Sequence, residues 1–506
     1  MNLAMLIEDS ARMFAQKKAM VFNKKVYKYR SLNETINRYA NLFLEKYRIQ
    51  KGKHVGILLN NSPEYIILSL AVIKTGATII PINRFLTARE IKFIVDESDM
   101  AYLISSSDFK ESFQVLSSCE KLNKILSADI TATGEKIDSI PTDVNCYSSE
   151  NLNLKISEND PAIIIFTSGT TGYPKGAMLS HKNLISNVLS CTEAIKVTHK
   201  DNLLLALPMF HSFTFTVCIL MPLAKGAAII GLPSIKPFSL VLKSILLNRI
   251  TIFICIPKVY DIISEKRIPF FLKPFIKIRL CISGSAPLSA KTLERFKKNI
   301  RLPLLEGYGL SETSPVVSVN PIFGEQKPGS VGLPVKGVKV KIFDDNQNEV
   351  QLGESGEIAV KGDNVMLGYY KKPQETSETI KNGWLLTGDI GKLDEDGYIY
   401  ILDRKKDMIL MQGMNIYPRE IEEVILSHHC VEEAAVVGIK EENHGEIPIA
   451  FIVVKEGFKV TNRELAKFCK ERLASYKCPR KYMFLDKLPR SSVGKILKKD
   501  LMDILD

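Results

Sequence analysis

The sequence predicts an α/β protein: a large N-terminal domain of packed α/β sheets, an antiparallel barrel-like subdomain, and a small C-terminal α+β domain. Three observations predict it. Residues 1–160 alternate segments of helical spacing with short apolar runs, the pattern of parallel strands joined by crossover helices. Beyond Lys327 the texture changes to short alternating runs between turn residues (Val338–Phe343, Gly356–Lys361, Tyr398–Leu402), which is antiparallel β character. The last hundred residues carry a helix–strand pattern of their own behind the charged run Asp403–Asp407. At 506 residues the chain exceeds one ordinary core, so domains are expected over 1–402 and 408–506 with a hinge at 403–407.

Taken in order, Met1–Phe14 reads as an amphipathic helix, because Glu8, Asp9 and Arg12 interrupt the apolar core a secretory signal needs. Helices follow at Ser31–Tyr47 and Pro63–Lys74, and strands at His54–Leu59 and Ala77–Pro81. Residues 120–160 are more polar and read as a peripheral connection. Next comes the stretch on which the chain is organised, Ile163–Ser180, I-I-I-F-T-S-G-T-T-G-Y-P-K-G-A-M-L-S. It sets Thr167, Ser168, Thr170 and Thr171, Gly169 and Gly172, and Lys175 directly after an apolar run. Successive N–H groups unshielded by side chains curl round an anion, so this is a phosphate cradle. No Gly-Lys pair stands at the Walker spacing, which argues against a P-loop enzyme. Short apolar flanks at Ala162–Phe166 and Ala177–Leu179 predict strand, loop, strand, with Ser180 capping a helix through Leu184, Val188 and Leu189.

His211 lies between Phe210 and Phe213, either as a packed neighbour of those rings or as a wall of a hydrophobic tunnel. The apolar stretch after it, Phe213–Ala224, is well short of the roughly 20 residues of a spanning helix. Buried strands are expected at Ile250–Pro257 and Arg279–Cys281. The second runs into Gly284, Ser285, Ala286 and Pro287, small residues that let a flat ligand approach the backbone. In L-E-G-Y-G-L-S-E-T, Tyr308 offers a flat face, Ser311 a hydroxyl and Glu312 a carboxylate suited to Mg²⁺. Asp389, in W-L-L-T-G-D, suits ribose hydroxyls or a turn cap. Asp403–Asp407 reads as a solvated linker or hinge. The C-terminal unit follows with helix Pro418–Ser427, strands Glu433–Ile439 and Ile449–Val454, helix Asn462–Leu473, and Lys495 on a glycine-containing loop.

With 45% hydrophobic and 25% charged residues the composition is that of a globular protein. Nine dispersed cysteines without a C-x-x-C pair support neither a disulfide framework nor a metal cluster, so a reducing compartment, the cytoplasm, is expected. Lys plus Arg number 68 against 56 acids, a net +12 that fits an anionic substrate, an anionic membrane surface or nucleic acid. With lysine spread along the whole chain, this balance alone decides little.

In this order the clusters resemble the adenylate-forming superfamily of acyl-CoA synthetases, aryl-CoA ligases, luciferases and peptide-synthetase adenylation domains. The resemblance covers essentially the whole chain. Its fatty-acid CoA ligase branch is nearest, through G-Y-Y-K-K-P-Q-E-T and G-M-N-I-Y-P-R-E-I-E-E. The resemblance implies that Thr167–Lys175 hold the triphosphate, with Lys175 a supporting cation. It assigns the adenine pocket to Gly284–Pro287, Tyr308 and Gly309, Mg²⁺ to Glu312, and the ribose to Asp389 with Arg404. Ser311 stands where Thr is more frequent and keeps the hydroxyl. Lys406 falls at the pivot of a mobile small domain, and Lys495 at the lysine that contacts carboxylate and bridging oxygen during adenylation. His211 falls beside the acyl site and Gly413 at the pantetheine tunnel. Asp403 stands where Gly is frequent and Lys405 where an apolar residue is frequent, which leaves the packing of the hinge open.

The implied reaction converts a medium- or long-chain fatty acid, ATP and CoA into acyl-CoA, AMP and pyrophosphate. The expected location is the cytoplasm, with peripheral contact at the inner face of the membrane, and no nucleic-acid partner is expected. Three alternatives stand beside it: a fatty acyl-AMP ligase that hands the acyl group to an acyl carrier protein, an aryl-CoA ligase, and a basic nucleotide-binding protein without activity.

Overall fold

The computed structural model describes every residue except 130–134, 169–173, 269, 412–413, 442–444, 491–495 and 506, together with all side chains of the described residues but those of 168 and 270–272. Two large sheets, a smaller antiparallel sheet and a C-terminal sheet make up the described strands. In the first, parallel strands Lys18–Phe22, Ala228–Gly231, Asn202–Leu205, Ile252–Cys255, Leu280–Ser283 and Leu304–Gly309 lie side by side in that order. Val316–Val319 closes that row antiparallel. In the second, His54–Leu58 sits between Thr78–Pro81 and Met100–Ser105, and the hairpin Pro161–Ser168/Pro174–Ser180 extends it.

The central stretches of these strands are apolar because both faces are covered. The helices Leu3–Met13, Tyr29–Glu45, Pro63–Lys74 and His181–Ala194 fill the space between the two sheets, in one continuous core with Ile57, Ile79 and Ile163 on one side and Leu203, Ile229 and Ile252 on the other. Outside the second sheet lie Ala88–Glu97 and Lys110–Ser117. Outside the first lie Phe238–Leu247, Pro257–Ser264 and Ala290–Asn299. The helix starts are chemically marked. Asn2 accepts from Met5 N–H, Ser62 from Tyr65 N–H ahead of a first-turn proline, and Ser180 and Asn183 form a reciprocal capping box.

Two features differ from the sequence reading, and the structure adds a third where that reading made no assignment. Residues 120–160 are not merely a connection, since Lys124–Ser127 and Ile137–Ser139 add two parallel strands to the edge of the second sheet. Strands of four and three residues, one reading Ile-Asp-Ser, carry too little alternation to be seen. The apolar stretch after Phe213 is helical, with Thr214–Leu220 a π-helical segment that continues into Met221–Ala224, all of it from 214 to 223 buried. The run Asp403–Asp407 is not uniformly solvated. Asp403 and Arg404 end the strand Ile399–Arg404, and Asp403 is buried.

The barrel-like section is an open antiparallel sheet of Val338–Phe343, Gly356–Gly362, Ile380–Lys381, Trp384–Leu393 and Ile399–Arg404. Its apolar face (Ile342, Ile358, Val360, Ile399) closes over Val317 and Val331 at the end of the first sheet. In the C-terminal unit, Val431–Glu441 and Gly445–Val454 pair antiparallel, and Pro418–Ser427 packs on them through Ile421 and Ile425. Among the described residues no helix is long and apolar enough to cross a membrane.

Candidate active site

The β-branched run Ile163–Ile165 sets the first strand of the hairpin, and the register pairs Thr167 with Lys175 and Ser168 with Pro174. The tip of the cradle, with Gly169, Thr170, Thr171 and Gly172, lies outside the described residues. At its base Thr167 Oγ1 donates to Glu312 Oε1 over 3.3 Å. Glu312 sits on a 3₁₀ turn, Ser311–Thr313, that follows the strand Leu304–Gly309. The turn is forced close, because a Cβ at Gly309 would stand 2.0 Å from the Pro315 carbonyl oxygen. Tyr369 OH donates to the same Oε1 over 3.1 Å, and its ring lies 5.6 Å from Lys175 Nζ. Burial, then the Glu312 charge, pushes the Tyr369 phenol well above its usual value, so it stays a donor. Both donors to Glu312 are neutral hydroxyls, and among the described residues no lysine or arginine pairs with it. The Arg404 guanidinium lies within electrostatic reach of it without bonding to it, and a carboxylate so placed suits a Mg²⁺ ligand.

Four residues before Glu312, on the strand that leads into its turn, Tyr308 OH donates to Asp389 Oδ2 over 2.5 Å. Asp389, 3% exposed, stands opposite Arg404 across a strand pair, and Arg404 Nε donates to its Oδ1 at 2.8 Å. This ion pair favours the charged form of the Asp389 carboxylate. The strand Leu280–Ser283, next to Leu304–Gly309, ends in the loop Gly284–Pro287. There Ser285 takes a left-handed φ of +71°, and a Cβ at Gly284 would stand 2.9 Å from the Phe213 ring. The loop is tied down at its end, where Leu288 N–H donates to the buried Glu306 Oε1 at 2.9 Å. Burial raises the Glu306 carboxyl to about 7, against the pull of that hydrogen bond.

The segment around His211 joins these groups. Its ring lies 4.5 Å from that of Phe210, its carbonyl accepts from Phe215 N–H at 2.8 Å, and Ser212 and Ser311 hydroxyls are 3.0 Å apart. Thus Thr167, Lys175, His211, Gly284, Tyr308, Ser311, Glu312, Asp389 and Arg404 converge from both large sheets and the antiparallel sheet. Lys406 lies on the exposed turn Lys405–Asp407, two residues past Arg404. Gly413 and Lys495 lie outside the described residues.

Two neighbours escaped the sequence reading. Tyr369 lies 57 positions from Glu312 and reaches it because Gly368–Tyr369 pairs with Pro174–Ser180. The signal for Glu306 was present as a lone carboxylate inside the apolar run of L-L-E-G-Y. A third group also departs from expectation: His428, His429 and Cys430 in the C-terminal unit bring metal-ligand atoms within 4.8 Å of one another, although the cysteine spacing suggested no cluster.

Comparison with known proteins gives this geometry a family. Residues 7–370 match the model of the AMP-binding enzyme family, and residues 420–495 that of the AMP-binding enzyme C-terminal domain. The long-chain-fatty-acid–CoA ligase of Bacillus subtilis (strain 168) is 33% identical over 532 residues, covering 99% of this chain and 94% of that one. The ATP-bound structure of MatB from Rhodopseudomonas palustris superposes with a TM-score of 0.90 at 30% identity, over 100% of this chain and 99% of that one. The structure of o-succinylbenzoate coenzyme A synthetase (MenE) from Bacillus subtilis with ATP and magnesium ion gives 0.85 at 29% identity, over 98% and 99%. The chain therefore belongs to the AMP-binding enzyme family, within the adenylate-forming superfamily.

Proposed function

We propose that the protein is an acid–CoA ligase that activates a medium- or long-chain fatty acid as its acyl-AMP and passes the acyl group to CoA. One observation carries the reading: Glu312, which no lysine or arginine pairs with among the described residues, stands at the base of the cradle, and four residues before it Tyr308 bonds to the Asp389–Arg404 pair. A phosphate-side carboxylate and a ribose-side ion pair are thus carried by one strand and the turn after it. The fatty acid is supported by the Bacillus subtilis relative.

A carboxylate acylates poorly because its leaving group would be oxide. Attack of the substrate carboxylate on the α-phosphorus of ATP forms the acyl–phosphate bond and breaks the bond to pyrophosphate. Attack of the CoA sulfur on the acyl carbon then releases AMP. Thr167 and Lys175 hold the leaving pyrophosphate, Tyr308 and the Gly284–Pro287 loop hold adenine, and Asp389 and Arg404 hold the ribose. Glu312 would hold Mg²⁺, which when bound screens the repulsion between the phosphates and the incoming carboxylate. Lys495 supplies the second positive charge at the reacting oxygen. The unit 408–506 swings at 403–407, about Lys406, between the two steps and opens the pantetheine tunnel at Gly413.

Pyrophosphate release across a panel of carboxylic acids tests the substrate. Medium- and long-chain fatty acids give the highest kcat/KM, rising about fourfold per methylene that enters the tunnel. Preference for aryl or short dicarboxylic acids would overturn the fatty-acid assignment and leave the chemistry.

A further inference from the structure

The charge of the chain is not spread evenly. Between residues 236 and 279 there are nine lysines and arginines against two acids, Asp261 and Glu265, so this short segment carries +7 of the whole chain's +12. Both acids are neutralised locally by Arg295. Of the nine cations, Lys258 pairs with Glu433 and Arg279 with Asp201. The other seven, Lys236, Lys243, Arg249, Lys266, Arg267, Lys273 and Lys277, are exposed and make no ion pair among the described residues.

Apolar side chains stand among them. The helix Phe238–Leu247 turns Val241 and Ile245 into the core, yet its outward face presents Leu240, Leu242 and Leu247, the last 69% exposed. Ile262, on Pro257–Ser264, is exposed on the same layer, and Phe275 is 60% exposed just before the next strand. Apolar side chains thus stand on both the buried and the outward face of this helix, which carries no acid.

The topology gathers these residues. Crossover helices run opposite to the parallel strands they join, so each returns its C-terminus to the N-terminal edge of the sheet. There Asn202 Nδ2 donates to Arg249 O, and Arg279 N to Thr251 O. Leu247, Arg249, Lys266, Arg267, Phe275 and Lys277 therefore rim one edge, with the outward face of Phe238–Leu247 beside it. The loop Gly284–Pro287 and Tyr308 lie at the opposite, C-terminal ends of the strands, so the rim can be covered without blocking the nucleotide groups.

We propose that this rim docks the protein on the surface of a bilayer containing anionic phospholipid, the ammonium and guanidinium groups meeting headgroup phosphates and Leu240, Leu242, Leu247 and Phe275 entering the acyl boundary. Charge complementarity selects the partner, and the interleaved apolar side chains favour a bilayer over a nucleic-acid backbone, which offers them nothing. The surface is separate from the active site and its assignment does not depend on the substrate.

Co-sedimentation of the full chain with vesicles tests it. The protein pellets with vesicles of phosphatidylcholine mixed with phosphatidylglycerol, far less with phosphatidylcholine alone, and is partly released when salt shortens the Debye length to about 3 Å. Replacing Lys243, Lys266, Arg267 and Lys277 together by Gln lowers partitioning about fivefold per residue, several hundredfold in all. Leu247→Ser with Phe275→Ser weakens binding at high salt as well, and both variants keep the acid-dependent pyrophosphate release of the parent in vesicle-free solution. Absence of binding to anionic vesicles, equal binding to neutral ones, unchanged binding by both variants, or displacement from vesicles by duplex DNA would overturn the proposal.

Discussion

Glu312 shows how one side chain separates structure from chemistry. Its Oε1 accepts two hydroxyls, from Thr167 and Tyr369, and an amide oxygen accepts them equally well. Glu312→Gln therefore keeps the fold and the local contacts while removing the charge. The rate of acyl-AMP formation falls roughly 10²–10³-fold, as for other preorganised electrostatic groups, and the Mg²⁺ concentration for half-maximal rate rises. An unchanged Mg²⁺ dependence would remove Glu312 from the metal site. Glu306 gives a second test with a definite sign. Its carboxyl is raised to about 7 in the folded chain, from about 4.3 unfolded, so between these values the folded state binds the extra proton and stability from this group falls as pH rises. Glu306→Gln removes the titration and leaves an acceptor for Leu288 N–H. The stability of the variant relative to the parent rises with pH between about 4.3 and 7, by at most about 1.4 kcal/mol per pH unit, and is flat above. Parallel pH profiles in urea denaturation would contradict the burial of that charge.

Among the elements, the connection into the C-terminal unit is the one whose packing was least legible in the sequence. Tyr417, at the cap position of helix Pro418–Ser427, gives no side-chain cap. Asp403, sixteen positions upstream, accepts from Arg419 N–H at 2.7 Å, and Arg419 Nη1 donates to Ile401 O at 3.0 Å. The end of the antiparallel sheet thus caps the first helix of the small unit with a carboxylate at the favourable pole of its dipole. Asp403→Ala leaves that N–H without its acceptor and destabilises the helix by about 1 kcal/mol, visible as faster amide exchange in Pro418–Ser427. Unchanged exchange there would show that the contact carries no stability. The hairpin around Thr167 was legible because apolar β-branched runs flank a loop rich in Ser, Thr and Gly, and Ser180 because its capping chemistry is local. The Asp403 cap and the Tyr369–Glu312 bond were not, because each joins distant segments through partners that carry no local signal. The edge strands at 124–127 and 137–139 were too short and polar to stand out.

Over the whole molecule, the two large sheets, the antiparallel sheet and the C-terminal sheet follow the change of periodicity along the chain, and burial on both faces explains why the parallel strands read as mainly apolar runs. The excess of cations over residues 236–279 can be counted in the sequence, but their gathering on one edge cannot, since only the topology brings them there. The convergence of Thr167, Glu312, Tyr308, Asp389 and Arg404 follows from sheet order, with Ser283 beside Glu306 in neighbouring strands and Asp389 opposite Arg404. On the proposed function, this convergence, with Lys495 brought to it, makes an acyl-AMP before CoA is needed. Exchange of labelled pyrophosphate into ATP, measured without CoA, tests it most directly. Exchange is expected to depend on the fatty acid and on Mg²⁺ and to be abolished by Lys495→Ala, while that variant still converts supplied acyl-AMP and CoA to thioester; acid-independent exchange, or release of ADP and phosphate in place of AMP and pyrophosphate, would overturn this mechanism.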